Sequence, residues 1–362
     1  MLLINNQEVE RLFDMKACLE ALEAGYDDLL KGDAVYRPRI DMWMPSERPD
    51  GYFRWGTMEG ASRKIGVFAI RMKSDIVHWP DGLTEEKYCV EPGTYCGLVM
   101  VFSVKNGEPL ALINDGLVQH MRVGGCAGLG AKHLARPDAT VVGVFGSGGM
   151  AQSYLLAFNE VRKLSKVKVY SPTKAHREAY AREMSARLGI PVEAVESREA
   201  VVRGSDIVAA CTDSTRTVFD EPEWLEPGTH ITCVRACEIG PRVVKKCDVS
   251  IKLGRNTVEN LDDGMVRLHG NAGYIAGQPE ERAKIPNPTV DNYRGDFFKY
   301  FMDLRAGRVP GRVDPKQVTF FINAGTQGLQ FAACAGKIHQ LAKEKGVGRV
   351  IPTEWLLQDI RD

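Results

Sequence analysis

The stretch Ala139–Ala157, ATVVGVFGSGGMAQSYLLA, decides the fold. Its apolar run Val141–Phe145 breaks into Gly146-Ser147-Gly148-Gly149-Met150-Ala151, and a helical pattern follows. Strand, tight glycine turn and helix start together make a dinucleotide-binding fingerprint, with Ala151 in the third small position. Gly146 makes the turn, Gly148 lets the backbone approach a pyrophosphate, and Ala151 lets helix and strand pack closely. The helix start at Gly149 and Met150 then offers free N–H groups and a positive dipole end to the phosphates. A glycine turn in an ordinary α/β sheet would look similar, but the flanking strand and helix favour a bound dinucleotide.

Downstream, strand and helix alternate. Val141–Phe145, Val167–Tyr170, Pro191–Val195, Ile207–Ala210, Thr229–Val234 and Val249–Lys252 read as short strands, with helices at Ala151–Leu164, Lys174–Leu188 and Ser197–Arg203 between most of them. This predicts a Rossmann domain with a doubly wound parallel sheet, its ligand at the carboxyl ends of the strands. Past the second strand, where an NAD binder usually has an acid for the ribose 2′-hydroxyl, the chain reads Ser171-Pro172-Thr173-Lys174, with His176 and Arg177 following. Small donors and a guanidinium suit a 2′-phosphate, so NADP(H) is favoured over NAD(H). The same Ser-Pro-Thr run also serves as a helix cap. Cys211-Thr212 and Val234-Arg235 fall at later strand ends and are candidate cofactor contacts.

The first half is different in kind. Glu8–Leu30 has the spacing of one amphipathic helix, and Met42–Trp55 reads as an irregular connection rich in Pro, Gly and aromatics. Lys64–Lys73 reads as a strand closing on a lysine, before a turn-rich loop at His78–Gly82. Thr94–Ser103 and Pro109–Ile113 flank the hairpin signal Asn106-Gly107. Asp115–Leu134 is helical in period yet carries five glycines, which implies tight packing against another backbone, or else approach to a cofactor or a crossing between domains. Asn256–Arg312 breaks the rhythm, and Val318–Lys345 begins as a strand and ends as a helix that we expect to return to the first domain.

Charge is balanced, 47 basic against 47 acidic residues, with no basic tract, which argues against nucleic acid or an anionic membrane as partner. No apolar run approaches ~18 residues, and the amino terminus does not resemble a signal peptide. Nine scattered cysteines without a CxxC suit reduced thiols in a cytoplasm. No metal-ligand spacing stands out. Arg39, Lys73 and Arg122 sit among apolar neighbours, where a cation is rare unless paired, and an α-carboxylate is a natural partner.

Several separated motifs together resemble the ornithine cyclodeaminase/mu-crystallin family. They are Pro38-Arg39, the strand carrying Lys73, Pro92-Gly-Thr94-Tyr-Cys-Gly97, Asn106-Gly-Glu-Pro-Leu-Ala111, His120-Met-Arg122, Ala131-Lys-His-Leu-Ala-Arg136, and the fingerprint that follows. The resemblance implies an α/β protein with a Rossmann domain at 131–317. It also implies a mixed α+β domain, built from both termini at 1–130 and 318–362, that binds substrate and makes a homodimer. It implies NAD(P)-dependent chemistry on a small α-amino or α-imino acid. Arg39 and Lys73 would hold the substrate carboxylate, with Lys73 catalytic, and Thr94 and Arg122 would lie between substrate and cofactor. Ser171 and Thr173 would meet the adenosine phosphate. One departure matters: cyclodeaminases carry a catalytic aspartate where this chain reads Val234-Arg-Ala-Cys237-Glu238-Ile-Gly240, with Cys237 aligned to the aspartate and Glu238 able to replace it only if shifted by one. Gln330 likewise stands where many members have Asp. The expectation is therefore an imine reductase or amino-acid dehydrogenase, with an ammonia-releasing cyclase or an NADPH-binding protein of mu-crystallin type as alternatives.

Overall fold

The computed structural model describes the chain except residues 49, 81–84, 255–260, 269–270, 287–297 and 361–362. It is an α/β protein of two units: Met1–Arg122 with Asn256–Pro286 and Thr326–Asp362, and Val123–Arg255 with Asn287–Gly325.

The second unit is built on an eight-stranded sheet. Its order is Val192–Ala194, Lys166–Tyr170, Val141–Phe145, Ile207–Ala210, His230–Cys233, Thr319–Ile322, Val249–Lys252, Lys299–Tyr300, and every pair is parallel. The order reverses beside Val141–Phe145, so the crevice opens where Gly146 and Cys211 leave their strands. The strands are apolar throughout because both faces are covered: Ile207–Ala210 and His230–Cys233 are fully buried. The six expected strands are all present. The seventh, Thr319–Ile322, corrects the expected boundary. It does not return to the first domain but inserts between His230–Cys233 and Val249–Lys252, where an apolar TFFI run is wanted.

The first unit carries a 12-stranded sheet whose main path runs Met265–Leu268, Asn271–Ile275, Ile40–Pro45, Gly51–Ser62, Val67–His78, Cys96–Ser103, Pro109–Asn114, Leu2–Ile4, Arg349–Val350. Part of the irregular 256–312 stretch thus completes this sheet, and the rest of it lies partly outside the described residues. Met42–Trp55 is not irregular: Ile40–Pro45 pairs with Gly51–Ser62 from Ile40 opposite Thr57 to Pro45 opposite Tyr52. Nor does the lysine strand close at Lys73; it runs to His78, so Lys73 is flanked by paired residues on both sides. The charged side chains broke the apolar signal without breaking the strand. The single amino-terminal helix is two, Asn6–Leu12 and Met15–Leu30. Asp14 separates them by accepting from the Ala17 N–H at 2.8 Å, a cap that starts a new helix.

Along Val67–His78, buried and partly exposed residues alternate strictly until the end. Helix Gln327–Lys345 covers the buried face closely: a Cβ on Gly328 would strike the Glu59 carbonyl, and one on Gly60 the Gly328 backbone. The five-glycine helix, Gly116–Leu134, is explained by tight packing, since a Cβ on Gly124 would strike the Ser153 carbonyl and one on Gly130 the Phe321 ring.

Candidate active site

In the second unit the fingerprint has the expected geometry. Gly146 sits at φ +103, and a Cβ there would strike the Cys211 carbonyl. Gly148 caps helix Gly149–Val161, and nothing lies within 4 Å of where its Cβ would be. That open cradle at a helix start, with Gly149 and Met150 opening the first turn, fits a pyrophosphate. Ala151 is fully buried against the sheet, as close helix–strand packing requires.

At the end of Lys166–Tyr170, the Ser147 hydroxyl donates to Ser171 Oγ at 3.1 Å, and Thr173 begins the helix Lys174–Leu188. Arg177, expected to face a phosphate, is turned inward. It donates to the Ser171 carbonyl at 3.0 Å and to the Pro172 carbonyl at 3.4 Å, pairs with Glu196, and lies over the Tyr170 ring. The reason is local: Arg177 is one turn into the helix, and the strand-end carbonyls need a donor. Ser171, Thr173 and Lys174 are the other polar side chains of this turn.

Glu238 links the next two strand ends. It is fully buried. Its Oε1 accepts from the Thr212 N–H (2.6 Å) and hydroxyl (2.7 Å), and its Oε2 from the Val234 (3.1 Å) and Arg235 (2.7 Å) N–H groups. Burial pushes its carboxyl up, and these donors pull it back. Thr212, Val234 and Arg235 are therefore set by one carboxylate, which the family resemblance offers only as a shifted catalytic acid. Cys237, aligned with the cyclodeaminase aspartate, is a buried thiol facing the Ser214 carbonyl at 3.6 Å, with its pKa raised by burial.

The first unit gathers charge at one end of its sheet. Cross-strand register puts Asp41, Gly56, Lys73 and Gly97 in one row, and the Asp115 N–H donates to the Gly97 carbonyl at 3.0 Å. The two glycines make room for the charges. A Cβ on Gly56 would strike Asp41 Oδ1 and lie 3.4 Å from the Arg39 guanidinium; one on Gly97 would strike the Asp115 carboxylate. Arg39 Nε donates to Asp41 at 2.6 Å, while Arg71 pairs with Asp115 and donates to Gln119 Oε1 at 2.8 Å. Arg39 and Lys73, predicted to act together, thus stand on the same face of one sheet.

Lys73 Nζ lies 3.0 Å from Asp75 Oδ2. Burial, then the Arg54 guanidinium, pull the Lys73 pKa well below its ordinary value, with Asp75 opposing and Lys87 and Arg39 adding to the fall. Such an amine gives up its proton more readily than an ordinary lysine. Tyr95, whose pKa burial raises to about 12, is nearby in charge terms to Asp115, Arg71 and Arg122. Arg122 is buried, donates to Gln330 Oε1 at 3.0 Å and lies 4.8 Å from the Phe331 ring centroid. Gln330 at this position therefore has a partner.

Thr94 departs from expectation. It is exposed on the turn after Glu91–Pro92, its hydroxyl donating to the Cys89 and Glu91 carbonyls. A hydroxyl beside two turn carbonyls closes the turn first. Arg54, Arg71, Asp75, Glu85 and Asp115 are not among the residues expected from the sequence, and Glu238 is expected there only as a shifted acid. A signal for three of the site's residues was present: Arg71, Lys73 and Asp75 recur with period two in an otherwise apolar strand, which puts all three on one face.

A parallel sheet with a glycine cradle, and a mixed sheet with buried paired charges, define a Rossmann-type dinucleotide-binding protein with a second, polar site. The chain belongs to the ornithine cyclodeaminase/mu-crystallin family, whose sequence profile matches residues 1–345. It is 32% identical to a Delta(1)-pyrroline-2-carboxylate reductase of Bacillus cereus over 260 residues, 71% of this chain and 74% of that one. The structure of Thermococcus litoralis Delta(1)-pyrroline-2-carboxylate reductase, in complex with NADH and L-proline, superposes with a TM-score of 0.74 at 25% identity, covering 97% of this chain and 100% of that one. An archaeal alanine dehydrogenase dimer with bound NAD shares the fold, with a TM-score of 0.71 at 22% identity over 96% of this chain and 98% of that one.

Proposed function

We propose that the protein is an NAD(P)-dependent oxidoreductase that reduces the C=N bond of a small α-imino acid, or runs the reverse oxidation. The observation that carries this is Lys73: a buried amine of lowered pKa, beside the Arg39 guanidinium, on a face where glycines clear space. Arg39 and Lys73 hold the substrate carboxylate, the guanidinium as a fork and the ammonium as a point charge. When bound, the nicotinamide supplies or takes up the hydride. Lys73 Nζ gives the proton that the imine nitrogen needs to become a good acceptor, and takes it back in the reverse direction. Arg122 and Thr94 complete the substrate side in this reading, Thr94 only if its turn opens. Reduction of Delta(1)-pyrroline-2-carboxylate is the activity named for the Bacillus and Thermococcus relatives.

The cyclodeaminase alternative has less support, because Glu238 is spent on backbone donors and Cys237 is an uncharged thiol. The test is a panel of α-keto acids with ammonia or methylamine, plus Δ1-pyrroline-2-carboxylate, read by NAD(P)H absorbance. Steady turnover with any of them supports the reading and removes a purely binding role. Proline and ammonia from ornithine with catalytic NAD, and no imine reduction, would overturn it.

Among cofactors we favour NADP(H), since the ribose turn offers Ser171, Thr173 and Lys174 and no carboxylate, although Arg177 does not contribute. Ser171→Asp should weaken NADPH at least tenfold and bring NADH to equal or tighter binding, because a carboxylate repels the 2′-phosphate and accepts from the 2′-hydroxyl. Fluorescence titration with both cofactors decides it; a wild type that binds NADH as tightly as NADPH would count against the preference.

The first unit is also our candidate for the substrate and dimerisation domain. The sheet face opposite helix Gln327–Lys345 carries Met42, Trp55, Phe68, Ile70, Met72, Leu98, Met100, Phe102 and Leu112, all partly or well exposed. So broad an apolar face is characteristic of an interface. The expected result in sedimentation velocity at micromolar concentration is a homodimer, and a stable monomer there would refute it.

A further inference from the structure

The charges around Lys73 form a chain anchored outside the reacting position. Glu85 grips Arg54 with both oxygens, to Nη1 and Nη2 at 3.1 Å each. Arg54 in turn donates to both oxygens of Asp75, Nη2 at 3.1 Å and Nε at 3.4 Å, and its guanidinium lies 5.2 Å from the Trp43 ring centroid. Asp75 then meets Lys73 Nζ at 3.0 Å. The side chains are 13%, 5%, 0% and 8% exposed in that order, so water contributes little to holding any of them. Asp75 has fixed neighbours on both sides, so the direction it offers Lys73 is fixed too.

We propose that Asp75 is the positioning residue for the proton-donating lysine: held rigid by Arg54 and Glu85, it aims the Lys73 ammonium and sets the pH at which that proton is given up. The proposal rests on the reading of Lys73 given above. The proton leaves Lys73 Nζ for the imine nitrogen, and the neutral amine left behind regains a proton from solvent before the next turnover. Asp75 is held ionised while it faces the Lys73 ammonium, because Lys73 and Arg54 outweigh burial at its carboxyl.

Other charged groups face Lys73 as well. Arg54 comes from Gly51–Ser62, Asp41 from Ile40–Pro45 and Arg39 from the segment leading into it, Lys87 from Glu86–Cys89 and Glu85 from just before it, with Arg71 on the same strand and Asp115 in the same row. The cations push the lysine towards neutrality, and Asp75 is the carboxylate in direct contact that opposes them. An opposite charge at this range shifts a pKa by about 1–3 units. Asp75 itself makes no substrate-carboxylate contact, since it would repel a carboxylate.

Asp75→Asn keeps the shape and removes the charge. In imine reduction Lys73 must be protonated, so kcat/KM falls as pH rises through its pKa. The variant should move that basic limb to lower pH by about one unit or more, leave the dissociation constant for NADPH within about twofold, and lower kcat more than it raises KM. Asp75→Glu should return the limb part of the way. If Asp75→Asn does not fold, Glu85→Gln, which weakens the far end of the chain, should move the limb in the same direction by less. A limb that stays within about 0.2 units in whichever of these folds, with Lys73→Met inactive, overturns the role of Asp75 alone. A Lys73→Met variant of near-native kcat removes the reading on which it rests.

Discussion

Lys73→Met is expected to lower kcat for imine reduction by about two to four powers of ten while leaving NADPH binding within about twofold. Methionine keeps the length and apolar stem of lysine but carries no proton and no charge. The substitution should not unfold the chain: Asp75 retains Arg54, and an apolar side chain in a buried place avoids the cost of desolvating an ammonium. Arg39→Met in the same assay should instead act mainly on KM, by roughly 30-fold or more, because it removes a carboxylate contact and no proton. Steady-state kinetics with parallel cofactor titrations separate the two effects. Near-native kcat/KM for Lys73→Met, or loss of cofactor in place of loss of rate, would make Lys73 a structural cation.

The dinucleotide cradle was legible because its chemistry is local. Gly146, Gly148 and Ala151 act through one turn and one helix start, and six residues in a row carry the signal. The strands of the parallel sheet were legible for a related reason: buried on both faces, each is a short apolar run bounded by turn residues. Thr319–Ile322 shows the limit. Its apolar character said strand, but which sheet it enters depends on a vacancy between two strands made some 70 and 90 residues earlier in the chain, roughly as parallel crossovers require.

The polar site was half legible. Arg39 and Lys73 were visible as cations in apolar company, yet what surrounds them comes from register. Gly56 and Gly97 fall in the Lys73 row only once the hairpins are paired, and a slip of one residue would move every charge to the opposite face. Arg54 and Glu85 were hidden for the same reason: Arg54 lies in a stretch that reads as loop until Ile40–Pro45 and Gly51–Ser62 pair, and Glu85 stands just before Glu86–Cys89, which pairs with the end of Val67–His78. Thr94 erred in the other direction, since its motif was recognisable while its hydroxyl belongs to a turn.

Glu238 offers the second large effect. Glu238→Ala removes the acceptor for three backbone N–H groups, of Thr212, Val234 and Arg235, and for the Thr212 hydroxyl. Buried groups left unpaired cost about 1–3 kcal/mol each, so even with partial rescue by water a loss on the order of 4 kcal/mol is expected. For a chain of this size that lowers the midpoint of thermal unfolding by roughly 5 °C. The two loops so released are those at the strand ends beside the cradle, so the dissociation constant for NADPH should rise at least tenfold. Glu238→Gln separates this clamp from catalysis. Its amide oxygen can serve one loop, as Oε1 serves Thr212 or Oε2 serves Val234 and Arg235, but its NH2 then points donors at the other loop's N–H groups. The glutamine variant should therefore also melt early and bind cofactor weakly. Were Glu238 instead the displaced catalytic acid of a cyclodeaminase, glutamine would abolish turnover and leave both melting and cofactor binding near native. Calorimetry and cofactor titration on the two variants distinguish these outcomes without any knowledge of the substrate.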